Sequence, residues 1–251
     1  MEKSLPENGA FPREITLVFG KTGMGKSNYI KTYLDSLPRV IILDPLDEYP
    51  AMEFEEIGGM IDYLEKENVK GNPLKPFRVK STNILDLDVI GEIVADGDKK
   101  DSDAMRNVTF VIEEAQRCLP ASRSDLPDSL QRIIFLGRHF GRSLVIAAQR
   151  PSIVHIGARS QWTRIVTFNL TETGDVQWLK NVSGYEIEGY SDRSFEGLSG
   201  DIRKLPVGDY FEITPGSFEL KRAPLYIPKR KEVESSGLER FMAEFSQLTL
   251  T

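Results

Sequence analysis

The sequence predicts a three-layer α/β fold with a mostly parallel central sheet, and three observations carry that prediction. The runs 15–19, 108–112 and 143–148 are hydrophobic at all but one position each, which suits strands buried on both faces and not strands with a wet side. Stretches of helical periodicity lie between the strands, the alternation that builds parallel sheets. Each of the three runs stops abruptly, at Gly20, Glu113 and Gln149. In open α/β sheets, ligands gather outside the carboxyl ends of strands, so these stops mark a candidate site.

The first stop opens a motif. Gly20-Lys21-Thr22-Gly23-Met24-Gly25-Lys26-Ser27 is a complete G-x-x-x-x-G-K-[ST] phosphate loop, with a strand before it and a predicted helix over 28–37 after it. Glycines at 20, 23 and 25 let backbone N–H groups turn toward phosphate oxygens, and the new helix adds the positive end of its dipole. The candidate nucleotide contacts therefore run from Gly20 through Asn28. Lys26 is placed to neutralise the β- and γ-phosphates and Ser27 to hold Mg²⁺. The expected ligand is a nucleoside triphosphate with magnesium.

The second stop supplies acids. Strand 108–112 ends in Glu113 and Glu114, and successive residues at a strand tip point in different directions. One carboxylate can thus serve the metal shell while its neighbour orients or deprotonates a water. The metal role falls to Glu113, through water because of the extra methylene of glutamate, and the water-activating role to Glu114. The guanine-selective Asn-Lys-x-Asp motif is absent, which disfavours a GTP switch and leaves ATP. Leu198-Ser199-Gly200 lacks the rest of a transporter signature and reads as a loop.

The chain has 251 residues, 40% of them hydrophobic, and a formal charge of −6, which argues against indiscriminate coating of nucleic acid. The charge is unevenly spread. Between Arg117 and Arg164 lie eight arginines (117, 123, 132, 138, 142, 150, 159, 164) against Asp125 and Asp128, with no lysine. Such arginines could act on a neighbouring subunit's γ-phosphate, track a nucleic-acid backbone, or form a solvated helix face. Arg132 sits opposite the apolar stripe of Leu130, Ile133, Ile134 and Leu136 and fits the last of these.

The stretch from Leu136 to Ser152, containing Leu136-Gly137-Arg138-His139-Phe140-Gly141-Arg142 and Gln149-Arg150-Pro151, resembles the sensor region of the HerA/FtsK superfamily of DNA-translocating ATPases. Asp44-Pro45-Leu46-Asp47-Glu48-Tyr49 and Phe168-Asn169-Leu170-Thr171-Glu172-Thr173-Gly174-Asp175 fit the HerA branch. With the phosphate loop and Glu113-Glu114, the resemblance covers about residues 14–182. It implies a P-loop NTPase of the additional-strand, catalytic-glutamate type, hydrolysing ATP with Mg²⁺ in a ring, six-membered by family, that moves double-stranded DNA. It also implies that Gln149 senses the γ-phosphate, that Arg138 acts in trans with Arg142 as runner-up, and that Arg150 is a second sensing residue. Asp44 is either a site residue or a turn former, Glu48 is a weaker candidate, and Asp175 reads as a plain helix residue. No counterpart is expected in residues 1–251 to the extra β-barrel of HerA or to the membrane and DNA-reading parts of FtsK. What remains resembles viral genome-packaging ATPases and toxin-type phage ATPases, so the alternatives are a motor for export or assembly of protein particles and a regulatory ATP-binding switch.

Three regions follow: an arm at 1–13, the motor domain at 14–228, and a linker with an amphipathic tail at 229–251 that packs on its own domain or docks on a subunit or protein partner. Within the motor, helices are predicted over 56–67, 84–95 and 171–181, the last capped by Thr171, with a short strand at 77–80 and an acidic loop at 96–103. The loop 117–128 is either a DNA-facing pore element or an ordinary surface crossing. Segments 207–213 and 217–222 around Pro215-Gly216 predict a C-terminal β-hairpin extension. One cysteine, Cys118, excludes an internal disulfide and reads as structural. No signal-peptide core or apolar span stands out, which makes the cytoplasm, or a host's cytoplasm, the expected location.

Overall fold

The computed structural model describes residues 12–96, 105–183 and 202–226. The arm up to residue 11, the linker and tail, the Leu198 loop and most of the acidic loop lie outside the described residues. In chain order the elements are β1 (Ile15–Phe19), α1 (Lys26–Leu34), β2 (Arg39–Leu43), β3 (Met52–Glu53), α2 (Ile57–Lys66), β4 (Phe77–Ser81), α3 (Leu87–Ala95), β5 (Thr109–Ile112), α4 (Asp128–Leu136), β6 (Ser143–Ala148), β7 (Arg164–Thr167), α5 (Thr173–Ser183), β8 (Asp209–Thr214) and β9 (Ser217–Arg222).

Among the described residues the nine strands form a single sheet in the order β3-β4-β2-β5-β6-β1-β7-β8-β9. The first seven of these are parallel neighbours, and β8 and β9 join antiparallel at one edge. β6 stands between β1 and β5, so an extra strand separates the phosphate loop from the paired acids. This insertion is what defines the additional-strand type.

Pleating sorts each strand's side chains into two faces. Ile15, Leu17, Phe19, Ile41, Phe110, Ile112, Leu144 and Ile146 pack with α2 to α5, represented by Leu64, Ile90, Ile133 and Leu179. Val18, Val40, Ile42, Val111, Val145 and Val166 pack on the other face with Ile30 and Leu34 of α1. Three layers result, with α1 alone on its side among the described helices.

Boundaries shift where local chemistry overrides periodicity. α1 begins at Lys26, directly after Gly25 at φ 110°, and Asp35, Ser36 and Leu37 close it by turn hydrogen bonds before Pro38. Helix α5 starts at Thr173 and not at Thr171, because the Glu172 carbonyl takes the Asp175 and Val176 N–H groups. β4 is longer than predicted and is a full member of the sheet beside β2. At the hairpin, Thr214 pairs with Ser217, leaving Pro215-Gly216 as a two-residue turn with Gly216 at φ 87°.

Two buried arginines knit the edge of the sheet away from the strand tips. Arg39 donates to the carbonyls of Val69, Asn72, Lys75 and Arg106. Arg142 donates to the carbonyls of Met105 and Asp96 and stacks 4.3 Å from the Phe140 ring centroid.

Candidate functional site

Parallel register sets the strand tips side by side. Phe19 is level with Ala148, and Ile112 with Leu43 and Ile146. The next residues, Gly20, Gln149, Glu113 and Asp44, therefore emerge along one edge, and the Glu113 N–H donates to the Leu43 carbonyl at 3.0 Å.

The loop leaving β1 is pressed close to the sheet. A Cβ at Gly20 would lie 2.6 Å from the Phe168 Cβ, which only glycine avoids. Gly23 at φ 78° and Gly25 at φ 110° take the left-handed turns that fold the loop back onto the first turn of α1. Backbone bonds brace it from outside: Lys21 N–H donates to the Asn169 carbonyl (3.2 Å) and Gly208 N–H to the Met24 carbonyl (3.0 Å). Thr22 is exposed on the loop.

Lys26 is buried and its Nζ donates to the Lys21 carbonyl at 3.3 Å. Burial lowers its pKa, and the charges of Glu113, Glu114 and Glu48 each pull it back up. The paired acids differ in setting. Glu113 is 2% exposed, and burial pushes its carboxyl up to about 8 despite Lys26. Glu114 is partly exposed, takes a hydrogen bond from Gln116, and adopts φ 47°, a left-handed conformation uncommon for a residue with a side chain and concentrated at functional sites.

Asp44 belongs to this edge. It is fully buried, Oδ2 accepts the Tyr49 N–H at 2.8 Å and lies 3.9 Å from Lys80 Nζ, while Oδ1 has no partner. Buried Lys80 also binds Asp47 and the Tyr49 carbonyl (3.1 Å), locking the turn that follows β2. The buried Tyr49 hydroxyl interacts with Ser27 and completes no hydrogen bond of ordinary geometry. Glu113 Oε2, buried without a partner beside Lys26, is an oxygen that an aquated divalent cation would satisfy. Among the described residues no group of three or more His, Cys, Asp or Glu side chains forms a closed cage. A cation here would therefore lean on Ser27, phosphate oxygens and water-bridged Glu113.

Elsewhere the predicted residues separate. Gln149 is half-buried beside the phosphate loop. Arg138 is exposed on the turn after α4, and its charge bears on Arg13. Arg142 cannot reach a neighbouring subunit: its fully buried guanidinium is committed to backbone carbonyls, which corrects its standing as runner-up. Asn28 binds the Pro224 carbonyl and accepts the Tyr226 N–H, so its side chain holds the segment after β9. Arg150 reaches Asp175 (2.6 Å) and not the phosphate loop. Asp175 is no plain helix residue, for it is fully buried and also accepts the Ser152 N–H (3.0 Å), anchoring the chain just past Gln149. Arg132 pairs with Glu92, as a solvated face requires. The loop at 117–128 is pinned by a Pro120–Val154 bridge and buried Leu119, with Arg123 turned back to the Cys118 carbonyl. Buried Lys80, which motif reading passes over, joins this edge through Asp47 and the Tyr49 carbonyl, while Arg117 is exposed just beyond Glu114.

A phosphate loop, an inserted strand and two strand-tip acids on a parallel sheet define a P-loop NTPase. Residues 14–119 match the model of the central domain of helicase HerA. The DNA translocase FtsK of Clostridium tetani is 25% identical over 158 residues, 55% of this chain; the chain spans about a fifth of that relative's length. The genome packaging NTPase B204 of Sulfolobus turreted icosahedral virus 2 superposes with TM-score 0.60 at 16% identity, covering 85% of this chain and all of that one. VirB4 of Thermoanaerobacter pseudethanolicus gives 0.51 at 12% identity, covering 85% of this chain and 90% of its own. The chain has the fold of a P-loop NTPase and is similar, over residues 14–119, to the central domain of HerA. No helix among the described residues is long and apolar enough to cross a membrane.

Proposed function

We propose that the chain is a magnesium-dependent ATPase that works in a ring and moves double-stranded DNA, in genome packaging or DNA transfer. The observation that carries this reading is the parallel register that brings Gly20, Gln149, Glu113 and Asp44 to one edge of the sheet, with buried Lys26 at the mouth of the glycine loop. Backbone N–H groups of residues 21–27 would cradle the phosphates, and Lys26 would place its charge on the terminal pair. Ser27 and Glu113 would hold magnesium, which when bound would supply the Lewis-acid charge of the site. Glu114, the more exposed carboxylate, is the one suited to take a proton from the attacking water. Gln149 would offer its amide to the terminal phosphoryl oxygens, and Arg138, solvent-facing, is the arginine available to a neighbouring subunit.

The DNA component draws its support from the HerA match and the FtsK relative. The arginine segment lends it less, since Arg123, Arg132, Arg142, Arg150 and Arg164 are engaged within their own chain. That internal use favours, as a second reading, a motor acting on protein particles. Glu114→Gln separates hydrolysis from binding: turnover should fall about 100-fold or more while ATP affinity is kept. Near-normal hydrolysis would remove Glu114 from its role.

A further inference from the structure

Tyr49 reads as a core aromatic, yet its hydroxyl interacts with Ser27, with Glu113 and Glu48 close by, and completes no hydrogen bond of ordinary geometry. The side chain is 2% exposed. Its backbone cannot drift, because the N–H is held by Asp44 (2.8 Å) and the carbonyl by Lys80 (3.1 Å), while Lys31 Nζ sits 5.7 Å from the ring centroid. The loop after β2 thus aims one phenol into the metal end of the nucleotide site. A neutral phenol offers what that cluster lacks: an O–H for the orphaned Glu113 oxygen and a lone pair for the Ser27 O–H. Accepting the Ser27 proton leaves the serine oxygen free to bind a cation.

We propose that Tyr49 is a positioning residue that orients the Ser27 hydroxyl and the Glu113 carboxylate for a magnesium-bound triphosphate, and so ties site occupancy to the Asp44–Lys80 turn. This rests on the nucleotide reading above. The test is calorimetric titration of the full chain with a non-hydrolysable ATP analogue, in magnesium and in EDTA, for the wild type, Tyr49→Phe, Ser27→Ala and the double variant. Phenylalanine keeps the ring and deletes only the hydroxyl. Affinity of Y49F in EDTA should stay within about twofold of wild type, while the gain conferred by magnesium falls roughly tenfold, the worth of one charge-assisted hydrogen bond. The double variant should lose little more than Ser27→Ala, since both act on one group. A full magnesium gain in Y49F, additive losses, or an equal loss with and without metal would overturn the proposal. A wild type that binds no analogue under either condition would overturn the nucleotide reading itself, and this inference with it.

Discussion

Glu113 carries the sharpest consequence at the scale of single residues. Its carboxyl sits at about 8 in the folded chain, pushed up chiefly by burial, against an ordinary 4.5. A group raised on folding contributes stability that is complete below the unfolded value and lost as pH climbs through the folded one. The nucleotide-free protein should therefore lose stability steadily between about pH 4.5 and 8 from this residue alone. Glu113→Gln should flatten that part of the profile, as urea midpoints at several pH values would reveal. An unchanged slope in the variant would mean that Glu113 is already ionised and better solvated than its burial indicates. Burial likewise pushes the Cys118 thiol up to about 11, which suits a structural residue and not a nucleophile.

Among elements, the strands were the most legible part of the chain. β1, β5 and β6 are apolar at nearly every position because the sheet is covered on both faces, and their polar tips announced the site. What stayed hidden depends on partners distant in sequence. Arg142 lies in an arginine-rich stretch that suggests a surface, yet it is buried because the carbonyls of Asp96 and Met105 need a donor. Asp175 follows helical spacing, and only the fold brings Arg150 and Ser152 to it. Tyr49 is indistinguishable by pattern from a packing aromatic. These placements separate two arginines four residues apart. Arg142→Met should lower stability by about 2–4 kcal/mol, the cost of orphaned buried carbonyls, whereas Arg138→Ala should stay within about 0.5 kcal/mol. Equal denaturant midpoints for the two variants would contradict the burial of Arg142. Close packing sets a further limit between α3 and α4, where any side chain at Gly91 would overlap Ser129.

At the level of the whole molecule, the question is whether one chain suffices. Arg138 faces solvent, away from its own buried site, so its use requires a neighbour, and a heterologous contact that closes makes a ring. Mixing Arg138→Ala with Lys26→Ala subunits should restore part of the ATPase rate that each lacks alone. No recovery at any ratio would place Arg138 outside catalysis. The account stands most directly on ATP turnover measured with and without duplex DNA over a range of salt. It predicts stimulation by DNA that fades steeply as ionic strength rises, since backbone contacts release counterions. Turnover indifferent to duplex DNA at low salt, in protein that binds ATP, would contradict a DNA motor and leave the nucleotide site serving another cargo.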